Sequence, residues 1–180
     1  MTDLMQKRKG FVSYDYYEIN VIPSKVSLYL DGYVNFGWQL DENIPPTSSI
    51  TGTVTLRFKR DRRIINKTEL TRLQRNFEAC IREIDMLEES KTSMATAASI
   101  AVGIIGTAFM AGSVFAVTAD KPMIVLCILL AIPGFIGWIL PYLLFQKMTN
   151  SRTEKVAPLI EDKYDEMYAI VEKGNRLLSH

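Results

Sequence analysis

The sequence predicts an α+β membrane protein: a small β-α-β-β cytoplasmic head, an antiparallel coiled-coil stalk and a two-helix transmembrane hairpin. Three observations carry that expectation. Residues 92–119 and 122–146 contain no charged side chain, although the 180-residue chain has 21 basic and 20 acidic residues. Apolar residues recur at heptad spacing through 66–91 and along a matching stripe through 152–178. Residues 14–62 alternate and turn as a small mixed domain does. Averages hide this segregation: a net charge of +1, 48% apolar residues and a mean hydropathy of +0.06 describe an ordinary soluble domain.

The chain opens on a tail, 1–13, whose Met1–Gly10 stretch is basic but lacks the apolar core of a signal peptide. The head follows over 14–62. Its first strand, 14–21, places Tyr17, Ile19 and Val21 on one face with Asp15 at the edge. Pro23-Ser24 reads as a helix start, and Val26, Leu30, Tyr33 and Val34 share one helical face up to Gly37. Trp38 and Leu40 alternate in a second strand, and Asn43 to Ser49 form a turn-rich connector. A third strand, Thr53 to Lys59, turns Val54, Leu56 and Phe58 inward and Thr53, Thr55, Arg57 and Lys59 outward. A core of about 50 residues is marginal alone, so the head is expected to lean on the helix that follows or on a second copy.

Tyr14 and Tyr16, the run Asn35-Phe36-Gly37-Trp38-Gln39-Leu40 and the closing Phe58-Lys59-Arg60 resemble the pattern of a small bacterial domain family of unknown function. That pattern is an aromatic opening strand, a helix leading into Gly-Trp-Glu-Leu, and a final Phe-Lys-Arg; here Gln39 stands in place of the Glu. The match covers roughly residues 12–62. The whole arrangement also resembles uncharacterised two-span membrane proteins of Gram-positive bacteria. The resemblance implies a fold and brings no activity with it. The residues themselves have structural roles: Gly37 permits a left-handed helix end, Trp38 buries a large ring beneath the sheet, and Lys59-Arg60 is expected to face water. A ligand pocket around Trp38 and the tyrosines is the functional alternative.

Between Lys67 and Val102 there is neither Gly nor Pro. Asn66 and Glu69 have capping-box spacing, and Leu70, Leu73, Phe77, Cys80, Ile84 and Leu87 form a heptad seam on the stalk helix, 66–91. The C-terminal stalk helix, 152–178, carries Val156, Ile160, Tyr164, Met167, Val171, Gly174 and Leu178, with Pro158 either starting or kinking it. Each helix would be roughly 40 Å long, and equal length with opposite direction predicts an antiparallel pair. Two separate helices lying on the membrane are the competing reading. It is the weaker one, because their polar faces mix acid and base.

Transmembrane helix 1, 93–118, and transmembrane helix 2, 122–146, each exceed the roughly 20 apolar residues that cross a hydrocarbon core. A buried hairpin of a soluble protein is the competing reading. Small residues repeat every four positions in the first span, at Ala95, Ser99 and Gly103 and again at Ala108, Gly112 and Ala116, which is helix-packing spacing. The second span holds Pro133-Gly134 and Pro141, expected to bend it, and Trp138 and Tyr142 toward one end. Lys91, Lys147, Arg152 and Lys155 flank the terminal side, whereas Asp120 and Lys121 offset each other in the loop. Both termini are therefore expected in the cytoplasm of a two-span, multi-pass cell-membrane protein.

Chemistry has few carriers. The single histidine is the terminal His180; Cys80 lies on the seam and Cys127 within a span. No zinc-ligand spacing, Walker loop, GxSxG or HExxH occurs. No metal, cofactor or catalytic residue is expected, and the stalk acids (Glu78, Asp85, Glu88, Glu161, Asp162, Asp165, Glu166) read as solvated faces. With no ionisable residue inside either span, a lone transporter is not expected. One charge cluster stands out: Arg57, Lys59, Arg60, Arg62, Arg63, Lys67, Arg72 and Arg75, with only Asp61 and Glu69 among them. Anionic lipid, nucleic acid or an acidic protein could meet it. An upright stalk would hold it roughly 35 Å from the membrane, beyond a screening length of about 8–10 Å. Without interleaved aromatic residues, nucleic acid is not the expected partner. The sequence thus predicts a non-catalytic adaptor or accessory subunit that contacts lipid and presents its head to a partner, or self-associates. The alternative is an accessory subunit of a transport system, packed against a permease.

Overall fold

The structure, a computed structural model, describes residues 13–43, 46–48, 52–118 and 123–179. Most of the tail, the loop charges Asp120 and Lys121, parts of the connector and His180 lie outside the described residues. The chain order is β1 (Tyr14–Val21), a short 3-10 turn (Pro23–Lys25), α1 (Val26–Val34), β2 (Gln39–Leu40), β3 (Thr47–Ser48), β4 (Val54–Asp61), α2 (Lys67–Thr118) and α3 (Ile124–Leu178). It divides into two compact units, one of residues up to Ile81 together with those from Asp165 onward, the other Arg82–Tyr164. The expected stalk segments 66–91 and 152–178 are each shared between the two.

In the first unit β4 is the centre of an antiparallel sheet. β1 pairs with it along its whole length, from Tyr14 opposite Asp61 to Val21 opposite Val54. On its other side β2 pairs at Gln39 and Leu40, and β3 at Thr47 and Ser48. The alternation read from both long strands holds: Asp15, Tyr17, Ile19 and Val21 are less exposed than their neighbours, and Leu56 and Phe58 are buried. β3 is a departure, since a strand occupies part of what reads as connector.

α1 ends in a Schellman motif, with the Trp38 N–H donating to the Tyr33 carbonyl (3.1 Å), the Gly37 N–H to Val34 (3.1 Å), and Gly37 at φ +81°. Its buried face differs from the expected one. Tyr29, Gly32, Tyr33 and, just beyond the helix, Phe36 point inward, while Val34 is exposed. Val34 sits one residue, about 100° of helix, past Tyr33. Asn66 enters α2 at φ 60°, outside the extended conformation of a capping box, and the Glu69 carboxylate goes to Arg72 instead.

The first turns of α2 belong to the head's core. Leu70, Leu73 and Phe77 are buried with Tyr33, Phe36 and Phe58, and ring centroids lie 4.7 Å apart for Tyr33–Phe58 and 5.6 Å for Phe36–Phe77. Such pairs contribute about 0.5–1.5 kcal/mol each beyond burial. The Phe77 ring lies on Gly32, where no Cβ fits. The end of α3 closes the same core: Met167 is buried, and a Cβ on Gly174 would meet the Asn35 carbonyl at 2.7 Å and the Phe36 ring at 2.8 Å. The following helix and the end of α3 together cover this small domain's core.

In the second unit the two helices run antiparallel. Ile84, Val156 and Ile160 form a buried cluster with Leu87 and Tyr164 against it, as the two apolar stripes predict, and Lys163 pairs with Glu83 at 2.7 Å. Farther along, the apolar segments pack together, with Ser99 donating to the Pro141 carbonyl (3.1 Å) and Ser113 to the Cys127 carbonyl (3.0 Å). Both are long and apolar enough to be candidate membrane spans. α3 is a single helix through Pro133, Pro141 and Pro158, so Pro158 starts no new element.

Candidate functional site

The basic segment 57–75 is dispersed by the sheet rather than gathered on one face. β4 alternation continues two residues past Phe58, so Arg60 points inward and is only 4% exposed; the expectation that it faces water is corrected. Its guanidinium lies 4.2 Å from the Trp38 ring centroid and donates to the Phe36 carbonyl (3.4 Å) and Thr71 Oγ1 (3.2 Å). A cation over an indole face is attracted to it, the more so when desolvated. Burial draws the Arg60 pKa down while Asp15 works against that, and a guanidinium stays protonated regardless.

Most of the other cations meet carboxylates. Arg57 pairs with Glu18, its cross-strand partner on β1, at 2.7 Å. Lys59 lies 3.6 Å from Asp41. Arg62 reaches Asp15 at 2.9 Å and Lys67 caps the other oxygen of the same carboxylate. Arg72 pairs with Glu69 at 2.5 Å. The Arg63 backbone N–H donates to the Asp61 carboxylate (2.8 Å), and Arg75 is exposed on α2. The sequence-local excess of charge is thus offset in part by three acids upstream of it, Asp15, Glu18 and Asp41. Hydrogen bonding from Lys67, then Arg62, holds the Asp15 carboxyl below the usual carboxylate range, with burial opposing. For Asp41 burial raises the pKa, but the Asn43 amides and Lys59 outweigh it and the net direction is downward.

Behind the sheet lies a polar chain that runs through the aromatic core. The Trp38 indole N–H donates to Gln74 Oε1 (2.7 Å), the Gln74 amide to Glu78 Oε1 (2.9 Å), and the Tyr33 hydroxyl to that same oxygen (2.7 Å). The Tyr17 ring lies tilted beside Trp38, centroids 5.7 Å apart, and its hydroxyl reaches Glu78 at 3.5 Å. Burial, then Glu78, pushes the Tyr33 phenol far above its ordinary range. Tyr17, Arg60 and Gln74 pack around Trp38 itself, while Tyr16 and Tyr17 border an open pocket with Glu18, Asp41, Asn43 and Arg57. Glu78, read from sequence as a solvated stalk acid, is the acceptor that organises the group. Its position four residues after Gln74 on one helix face is the signal that points there.

Of the helix-packing set, Ala95 and Ala116 are buried and Ser99 bonds across to α3. Gly112 makes ordinary contact with Leu130, Gly103 faces open space, and Ala108 is exposed. Among the glycines, the close approaches are instead at Gly106, Gly134 and Gly137. A Cβ on Gly106 would lie 2.9 Å from the Gly137 Cα, and one on Gly134 would strike Met110 at 2.7 Å. Small residues at these points let two backbones touch.

Comparison with protein-family models, with curated protein sequences and with solved structures returns no match.

Proposed function

We propose that this chain is a non-catalytic integral protein of the cell membrane, with two spans and both termini in the cytoplasm. It acts as an adaptor or accessory subunit that presents its head to a partner protein. The observation that carries this reading is the uncovered surface of the paired apolar helices. Only 17% of the most apolar stretch of α2 and 11% of that of α3 is buried, whereas a core helix of a soluble protein is mostly covered. Phe115, Val125 and Leu129 point outward at 76%, 82% and 67% exposure. Contiguous apolar surface of this kind calls for lipid or an apolar partner. Trp138 and Tyr142 lie outward near one end of the second apolar run, as rings at a lipid–water boundary do. Support for the adaptor role comes from the head, whose aromatic core is filled by its own side chains, so that its outer surface is what remains for contacts.

Capture of the intact chain in mild detergent tests the role. Recovery of a cytosolic protein that binds the head supports it; recovery of a permease favours the transport-accessory alternative. Recovery of nothing but further copies of the chain would contradict both.

A further inference from the structure

Cations without counter-ions gather between the apolar helices rather than on the head, most of whose cations meet acids. Just beyond the Ala95 contact, α2 and α3 border one pocket lined by Lys91 and Met94 from the first helix and Lys147, Met148, Arg152 and Lys155 from the second. Residues 147, 151 or 152, and 155 recur every helical turn, so a single face of α3 presents its cations to the Lys91 side of α2. No carboxylate lines this pocket. None of its four cations pairs with an acid among the described residues, while Lys163, two turns along α3 from Lys155, pairs with Glu83. Like charges gathered without a counter-ion repel one another, and an anion bound among them removes that repulsion.

The lining is also two-sided. Lys91 is the last charge before the first uncharged run and Lys147 the first after the second, so the cations sit at the end of the apolar helices, with Met94 and Met148 beside them. Phosphate-sized negative charge next to flexible apolar surface is the chemistry of a phospholipid at the hydrocarbon boundary. We infer that this pocket binds the phosphate of an anionic phospholipid headgroup, with the two methionines against the root of its acyl chains. This rests on the membrane reading above. A soluble phosphate shares the charge but gains nothing from Met94 and Met148. Basic pockets between membrane helices on the cytoplasmic side bind lipid headgroups in this way; taking the gain of a Lys or Arg near an anionic membrane surface, about 1 kcal/mol, each cation is worth roughly fivefold in affinity.

The full chain in mild detergent, titrated with phosphatidylglycerol, phosphatidylcholine or inorganic phosphate and read by native mass spectrometry, tests the inference. The expected result is retention of phosphatidylglycerol over phosphatidylcholine, undiminished by millimolar inorganic phosphate. Lys147→Gln/Arg152→Gln should weaken it by about 25-fold, while Arg62→Gln/Arg72→Gln, removing equal charge from the head, should leave it unchanged. Equal retention of the two lipids, no loss in the pocket variant, or equal loss in both variants would overturn the inference. Displacement of phosphatidylglycerol by inorganic phosphate would overturn the lipid assignment. Flotation with phosphatidylcholine vesicles separates the two levels. A chain that floats but shows no lipid preference loses only the pocket; one that does not float loses the membrane reading.

Discussion

Gly106 of α2 and Gly137 of α3 meet backbone to backbone: a Cβ placed on Gly137 would lie 2.6 Å from the Gly106 Cα. Gly103, one turn away on α2, has no atom within 4 Å of its would-be Cβ. The two glycines separate contact from composition. Gly106→Leu is expected to destabilise the hairpin by about 1–3 kcal/mol, the usual cost of overpacking, and Gly103→Leu to leave it nearly unchanged. Thermal midpoints in detergent check this; equal losses would place the helix contact elsewhere.

Glu78 accepts from Tyr33 and Gln74 with one oxygen, and Gln74 in turn accepts from Trp38. Glu78→Leu strands a buried phenol and an amide, at about 1–3 kcal/mol, and Glu78→Gln is expected to cost less. Urea unfolding followed by Trp38 fluorescence, in a Trp138→Phe background, measures both. Alkali provides a second readout. The Tyr33 pKa is raised in the folded state from an ordinary 10.0. Its contribution is therefore whole below about pH 10 and lost as pH rises beyond it, because the unfolded chain ionises first. Tyr33→Phe should flatten that alkaline decline.

Asp15 holds Arg62 and Lys67 to the end of β1. Its folded pKa lies below the ordinary 3.8, so its contribution is present above that value and is lost as pH falls through the lower folded one. Asp15→Asn is expected to lower stability at neutral pH and to flatten the acid limb below pH 4. An acid limb of unchanged slope would show that other carboxylates set it.

Much of the architecture is legible in the chain. The alternation of β1 and β4, the left-handed Gly37 and the two apolar stripes all stand in local spacing, and each is where it reads. What is missed depends on partners far away in sequence. The alternation Val54, Leu56, Phe58 already continues to Arg60, but a guanidinium reads as solvated until Trp38 is seen beneath it. The charge run at 57–75 reads as a patch because Glu18 and Asp15 lie on another strand. Gly32 is unremarked until the Phe77 ring sits on it, and Gly106 is one of several small residues until Gly137 selects it. The cations flanking the spans are plain in the sequence as topology signals; that both helices turn them into one pocket is a fact of packing.

The central claim is that residues 93–118 and 122–146 cross a membrane with the head inside. Labelling of intact cells with a membrane-impermeant maleimide tests it most directly. It uses Cys80→Ala/Cys127→Ala chains carrying either Asp120→Cys between the apolar runs or Ser24→Cys in the exposed turn before α1. The expected result is labelling of the Asp120→Cys chain in intact cells and of the Ser24→Cys chain only after permeabilisation. Labelling of the head from outside, or no labelling at position 120, would contradict it.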